Sequence, residues 1–122
     1  MSLTILAIDD SSTMRRLVQS TLVQSGYAVE VAEDGIDGLE KLDQVKPDLV
    51  ITDINMPRLD GFGVIEGVRA HPTFNKIPVL TLTTESAAEM KQRARKAGAS
   101  GWIVKPFDKD KLLMAIKRVC GV

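Results

Sequence analysis

Leu49-Val50-Ile51-Thr52-Asp53-Ile54-Asn55-Met56-Pro57, with Asp60-Gly61 close behind, is the stretch on which the reading of this chain turns. β-Branched and apolar residues run up to a single carboxylate, and the chain then turns through Asn, Pro, Asp and Gly. The run does not alternate with polar residues, which predicts a strand buried on both faces, as in a parallel sheet covered by helices above and below. Asp53 then falls at the C-terminal end of that strand, and in open α/β sheets the crevice beyond those ends binds ligands. A carboxylate there is either a cap for the next helix or a reactive group. Asp60, directly before Gly61 and the apolar spacing of Phe62, Ile65 and Val68, is the better cap. Asp53 is left without a structural task.

Four further strand-like runs flank this one: Thr4–Ile8, Ala28–Ala32, Val79–Thr83 and Gly101–Val104. A helical pattern follows each of the five. The first helix is expected after Asp10, capped by Ser11, Ser12 or Thr13, with Met14, Leu17, Val18, Thr21 and Leu22 inward and a stop at Gly26. The second begins near Gly35 behind Asp34, turns Ile36, Leu39 and Leu42 inward and ends before Pro47. The third runs from Gly61 to about His71-Pro72. The fourth is expected from Thr84-Glu85 to Gly98, with Ala87, Ala88, Ala94 and Ala97 allowing close packing. The fifth opens at Asp108 and buries Leu112, Leu113, Ile116 and Val119. Five alternations predict an α/β fold, a single-domain (βα)5 doubly wound parallel sheet over residues 1–122. The flavodoxin-type strand order, 2-1-3-4-5, has its switch point between strands 1 and 3.

At 122 residues, 44% hydrophobic and 26% charged, the chain has the size and composition of one globular core. Its longest apolar runs are strand-sized, so no membrane span or secretory leader is expected. Cys120 is the only cysteine, which excludes an intramolecular disulfide and makes a reducing cytoplasm the expected location. The formal net charge is zero, which argues against a dedicated nucleic-acid binder. Its distribution is lopsided: residues 1–66 carry 12 acidic and 5 basic side chains, and residues 67–122 carry 4 and 11. An acidic site in one half and a cationic surface in the other follow from that split. No G-x-G-x-x-G or P-loop opens a helix, and Gly61-Phe62-Gly63 reads as a turn.

Strand 1 ends in Asp9-Asp10 and strand 3 in Asp53, so three carboxylates meet at the switch point. Two carboxylates about 5 Å apart repel by roughly 3 kcal/mol at an effective dielectric near 20. A cation must offset them. A hard divalent ion such as Mg²⁺ suits an open site of carboxylates and waters. Lys105, at the end of strand 5, is the other candidate, and Thr83 offers a hydroxyl at the same edge. Acidic pair, lone Asp, hydroxyl and Lys are the parts that phosphoryl transfer uses.

Asp9-Asp10, Asp53, Thr83-Thr84-Glu85 and Lys105-Pro106-Phe107 together resemble the receiver domain of two-component response regulators, over nearly the whole chain. Asp-Asp-Ser-Ser-Thr-Met-Arg-Arg from Asp9, Ala-Glu-Asp-Gly-Ile-Asp-Gly from Ala32 and Ala-Gly-Ala-Ser-Gly-Trp-Ile-Val-Lys-Pro-Phe from Ala97 look like its chemotaxis, CheY-like branch. The resemblance implies that Asp53 accepts a phosphoryl group from a histidine kinase. It implies a Mg²⁺ site of Asp10 and Asp53, Asp9 mainly through water, and the Asn55 backbone carbonyl. Lys105 would pair with the phosphoryl group, across a cis Lys105-Pro106 bond. Thr83 and the aromatic at Trp102, a position usually Tyr or Phe, would form the switch. Asn55 and Glu85 would govern the access of water, and their polarity implies a short-lived phosphorylated state.

The implied readout surface comprises the fourth helix, fifth strand and fifth helix. There Lys91, Arg93, Arg95 and Lys96 precede Lys109, Lys111, Lys117 and Arg118. In the chemotaxis branch that surface meets the flagellar motor switch. The chain ends with the fifth helix, so output by association is expected, from a monomer when unphosphorylated, with no nucleic-acid or membrane partner. A phosphorelay intermediate or phosphate sink needs the same site and remains the alternative. An enzyme acting on external substrates is not expected, because Asn55 stands where aspartate-nucleophile phosphatases carry a second acid.

Overall fold

The structure, a computed structural model, describes residues 3–121. Strands and helices alternate as β1 (Thr4–Ile8), α1 (Ser12–Gln24), β2 (Ala28–Ala32), α2 (Gly35–Val45), β3 (Leu49–Thr52), α3 (Gly61–Ala70), β4 (Val79–Thr83), α4 (Ala88–Ala97), β5 (Gly101–Val104) and α5 (Lys109–Cys120). All strands are parallel, in the order β2-β1-β3-β4-β5 expected of a flavodoxin-type sheet.

The three central strands, β1, β3 and β4, have neighbours on both sides and helices on both faces, which is why they are apolar or β-branched throughout. Alternate residues feed opposite layers. Ile5 and Ala7 pack with Val18 and Leu22 of α1 and Leu112 and Ile116 of α5. Leu6 and Ile8 pack on the other side with Leu42 of α2, Phe62 and Ile65 of α3, and Ala94 of α4. Register brings the strand ends together: Ile8 stands beside both Ala32 and Thr52.

Four helices begin on a side-chain cap. Ser11 accepts from Met14 N–H, Asp34 from Asp37, Asp60 from Gly63, and Asp108 from Asp110. Each satisfies an amide that the first turn leaves free. The fourth helix departs from expectation. It starts at Ala88 rather than at Thr84-Glu85, and its N-cap, Ala87, has no side-chain oxygen to give. The Glu85 amide is taken instead by Thr83 Oγ1 and the Glu85 carbonyl by Trp102, which holds this segment out of the helix.

Burial also differs at particular positions. Leu17 is 50% exposed, because Val18 and Leu22 form the inner stripe of α1 and Leu17 lies off it. Ile36 is exposed, whereas Gly35 and Gly38 are the buried residues of the first turns of α2. Gly38 lies so close to Ile8 that a Cβ there would collide with its side chain. Ala87 and Ala88 are exposed, and of the α4 residues only Ala94 is fully buried.

Candidate functional site

Asp9, Asp53 and Lys105 each stand one residue beyond the end of a strand. The backbone ladder continues through all three. Asp9 N–H donates to the Ala32 carbonyl at 3.1 Å, Asp53 N–H to Ile8 at 3.0 Å, and Lys105 N–H to Thr83 at 2.8 Å. The main chain of every charged group is therefore fixed by a neighbouring strand, and the side chains project over the end of the sheet.

There they meet. Lys105 Nζ donates to Asp9 Oδ2 at 2.7 Å and to Asp53 Oδ2 at 2.9 Å. The remaining oxygens are also engaged: Asp53 Oδ1 accepts from Ile54 N–H at 2.6 Å, and Asp9 Oδ1 from Ser11 N–H at 2.9 Å. All three side chains are largely buried, between 8% and 11% exposed. Asp10 is exposed, but one of its oxygens lies within 4.8 Å of oxygens on Asp9 and Asp53. Two carboxylates thus share one ammonium, with a third close by. Burial pushes the Asp9 carboxyl above its ordinary value, although its bonds to Lys105 and Ser11 pull it down. Burial opposes the charge of Lys105 too, yet the bonds from Asp9 and Asp53 outweigh it and raise the lysine above its usual range. Burial governs the direction at Asp9, and the two carboxylate bonds govern it at Lys105.

The neighbouring loop, between β4 and α4, converges on Glu85. Thr83, fully buried, accepts from Glu85 N–H through Oγ1 at 3.2 Å. Trp102 Nε1 donates to the Glu85 carbonyl at 3.0 Å, and the indole is half-buried. Asn55 Nδ2 donates to Glu85 Oε1 at 2.9 Å, joining the loop after β3 to the loop after β4. Asn55, Thr83 and Trp102, read separately in the sequence, thus meet on one residue. The Lys105-Pro106 peptide bond is cis.

Two contacts near the site carry no local sequence signal. Arg15, on α1, donates to the Asp9 carbonyl at 2.7 Å. Arg58 pairs with Asp34, 24 residues away in the chain, and tandem proximity could not have linked them. The eight basic residues of α4 and α5 singled out in the sequence are all exposed. One of them, Arg93, lies over the Phe62 ring at 3.9 Å. A groove between α4 and β5 is lined by Lys91, Arg95, Ser100 and Trp102.

Converging carboxylate oxygens are the hard donors that Mg²⁺ takes, and a backbone carbonyl and waters complete such sites elsewhere. The donor set fits that ion. An acidic crevice with a bridging lysine at the switch point of a doubly wound α/β sheet has parts that phosphoryl transfer uses. The chain matches the family described as "Response regulator receiver domain" over residues 5–117 and belongs to that family, a phosphorylation-based module of two-component signalling. It is 41% identical to chemotaxis protein CheY1 of Helicobacter pylori over 119 residues, 96% of each chain. It is similar in structure to chemotaxis protein CheY4 of Vibrio cholerae, with a TM-score of 0.93, 41% identity, and 98% and 99% of the two chains covered. The receiver domain of sensor histidine kinase PA1611 from Pseudomonas aeruginosa shares the fold at a TM-score of 0.90, 24% identity and full coverage of both chains; that protein has a magnesium ion coordinated in its active site cleft.

Proposed function

We propose that Asp53 is the phosphoacceptor of a chemotaxis-type signalling module, taking its phosphoryl group from a phosphohistidine on a histidine kinase. The observation that carries this reading is the bridge from Lys105 to Asp53 and Asp9 at the end of the sheet. An Asp53 carboxylate oxygen attacks phosphorus, a P–O bond forms, and the P–N bond breaks with its electron pair returning to the imidazole. Lys105, already bonded to Asp53, would pair with an oxygen of the transferred group, and Thr83 would offer its hydroxyl. Asp10 and Asp53, with Asp9 and the Asn55 carbonyl, would hold Mg²⁺, and the ion would supply positive charge to offset that of the phosphoryl oxygens. Water later attacks the aspartyl phosphate and releases phosphate, with Asn55 and Glu85 controlling its approach.

The chain itself acts on no external substrate, which fits Asn55, whose amide serves as neither general acid nor general base. Phosphorylation adds charge and acceptor oxygens beside Thr83 and Lys105 and biases an equilibrium that Thr83 and Trp102 carry to α4, β5 and α5. The exposed lysines and arginines of those helices suit an acidic partner surface; the flagellar motor switch is the candidate only through the chemotaxis resemblance. The cytoplasm is the proposed location: among the described residues no helix is long and apolar enough to cross a membrane, and the single thiol needs no oxidising compartment.

Trp102 is the only tryptophan, so its fluorescence reports on β5 directly. Addition of Mg²⁺ and then beryllofluoride, a phosphoryl mimic, should change it saturably in the wild type and leave Asp53→Asn silent. A heat-stability gain with Mg²⁺ but no fluorescence change would keep the site and remove the switch role of Trp102.

A further inference from the structure

Arg58 and Asp34 lie outside the crevice, yet their pairing has the geometry of a deliberate support. Arg58 Nη2 donates to Asp34 Oδ1 at 3.0 Å, and Nε stands 2.8 Å from Oδ2 as an ion-pair contact. Asp34 is 5% exposed and already fixed, since Oδ1 also caps α2 through Asp37 N–H at 2.8 Å. Arg58 has φ 67°, in the left-handed region that favours glycine. Its loop is closed on itself by Leu59 N–H to the Pro57 carbonyl at 2.7 Å and Gly61 N–H to the Ile54 carbonyl at 2.8 Å. A second tie lies beside the ion pair. The backbone of Leu59 comes so close to Gly35 that a Cβ there would collide with the Leu59 carbonyl oxygen. The loop after β3 is thus seated on the start of α2 by one ion pair and one close backbone approach. Asn55 belongs to that loop, three residues before Arg58.

We propose that the Asp34–Arg58 pair is a positioning clamp for the metal-binding loop: it holds the left-handed turn at Arg58 and thereby sets where the Asn55 carbonyl stands relative to Asp10 and Asp53. The proposal rests on the phosphoacceptor reading above. The pairing is favourable to both partners, since the bond to Arg58 holds the Asp34 carboxyl below its ordinary value and raises the arginine. Arg58 is 55% exposed, and such a solvated pair contributes little to global stability. Stability and metal affinity should therefore separate on substitution.

The test uses the full chain with Arg58→Gly, which keeps the left-handed turn accessible but removes the guanidinium, and Asp34→Asn, which keeps the cap acceptor but removes the charge. Mg²⁺ affinity is read by calorimetry, the urea midpoint in chelator, and amide exchange at Leu59 and Gly61 without metal. Each variant should weaken Mg²⁺ about tenfold, as loss of a ligand-orienting group does, and exchange faster at both amides. The Arg58→Gly midpoint should hold or rise, and the double variant should bind Mg²⁺ no more weakly than either single one. Unchanged affinity in both variants, or a loss that only tracks a lower midpoint, overturns the clamp while the site reading stands. A wild type with no saturable Mg²⁺ response overturns the site reading and the clamp with it.

Discussion

Lys105 is one ammonium between two carboxylates that cannot both be fully satisfied by it, with Asp10 adding a third nearby. For Asp9 the sign follows from burial. Its carboxyl is held above the ordinary value, so the native state binds that proton more tightly than the unfolded chain does. The stability this group contributes is complete below the ordinary aspartate value, about 3.9, and is lost as pH rises through the raised one. Lys105 is also raised, so its contribution persists to the alkaline side of its ordinary value and is lost above that. Asp9→Asn should then stabilise the metal-free protein at pH 7 by about 0.5–2 kcal/mol, in the range gained by relieving strained functional sites. Urea unfolding across pH should show the gain fading toward acid, and Mg²⁺ should narrow it by stabilising the wild type. A destabilised Asp9→Asn at pH 7 would make its bond to Lys105 the dominant effect. The three charged residues could be read from sequence because each directly follows a strand whose pattern is local. Arg58 could not, because its partner lies in another turn and its φ is set by the fold.

Element boundaries follow the same division between local and distant causes. The starts of α1, α2, α3 and α5 were readable because Ser11, Asp34, Asp60 and Asp108 cap within three residues of themselves. The start of α4 was not, because Glu85 is held by an indole 17 residues ahead. Leu17 and Ile36 were misplaced because an apolar residue near a helical stripe need not lie on it. The end of α2 carries a testable strain. Lys46 occupies the left-handed C-cap at φ 52°, its N–H bonded to the Leu42 carbonyl at 2.9 Å. That conformation costs a non-glycine residue about 1–2 kcal/mol, and a glycine costs roughly 0.5–1 kcal/mol in chain entropy. Lys46→Gly should therefore raise stability by about 0.5–1 kcal/mol, seen as a higher urea midpoint with an unchanged slope. A lower midpoint would mean that the lysine side chain contributes more than its backbone costs.

At the scale of the whole molecule, one topological fact gathers the chemistry. Strand order β2-β1-β3-β4-β5 sets β1 beside β3, so Asp9 and Asp53, 44 residues apart, share one ammonium from the far edge. That gathering was legible from alternation, strand ends and the flavodoxin-type strand order. The Glu85 junction was not, since no pattern in the sequence says that Asn55, Thr83 and Trp102 bond the same residue. The charge division of the sequence is partly realised in space: the acidic triad sits over the sheet end, and the basic residues of α4 and α5 face solvent. The most direct test of the account is intact-mass measurement of the protein incubated with Mg²⁺ and a small phosphoramidate donor, followed by peptide mapping after borohydride trapping. The account predicts one added phosphoryl group, dependent on Mg²⁺, located at Asp53 and absent in Asp53→Asn. No added group in the wild type, or a group that persists in Asp53→Asn at the same rate, would contradict it.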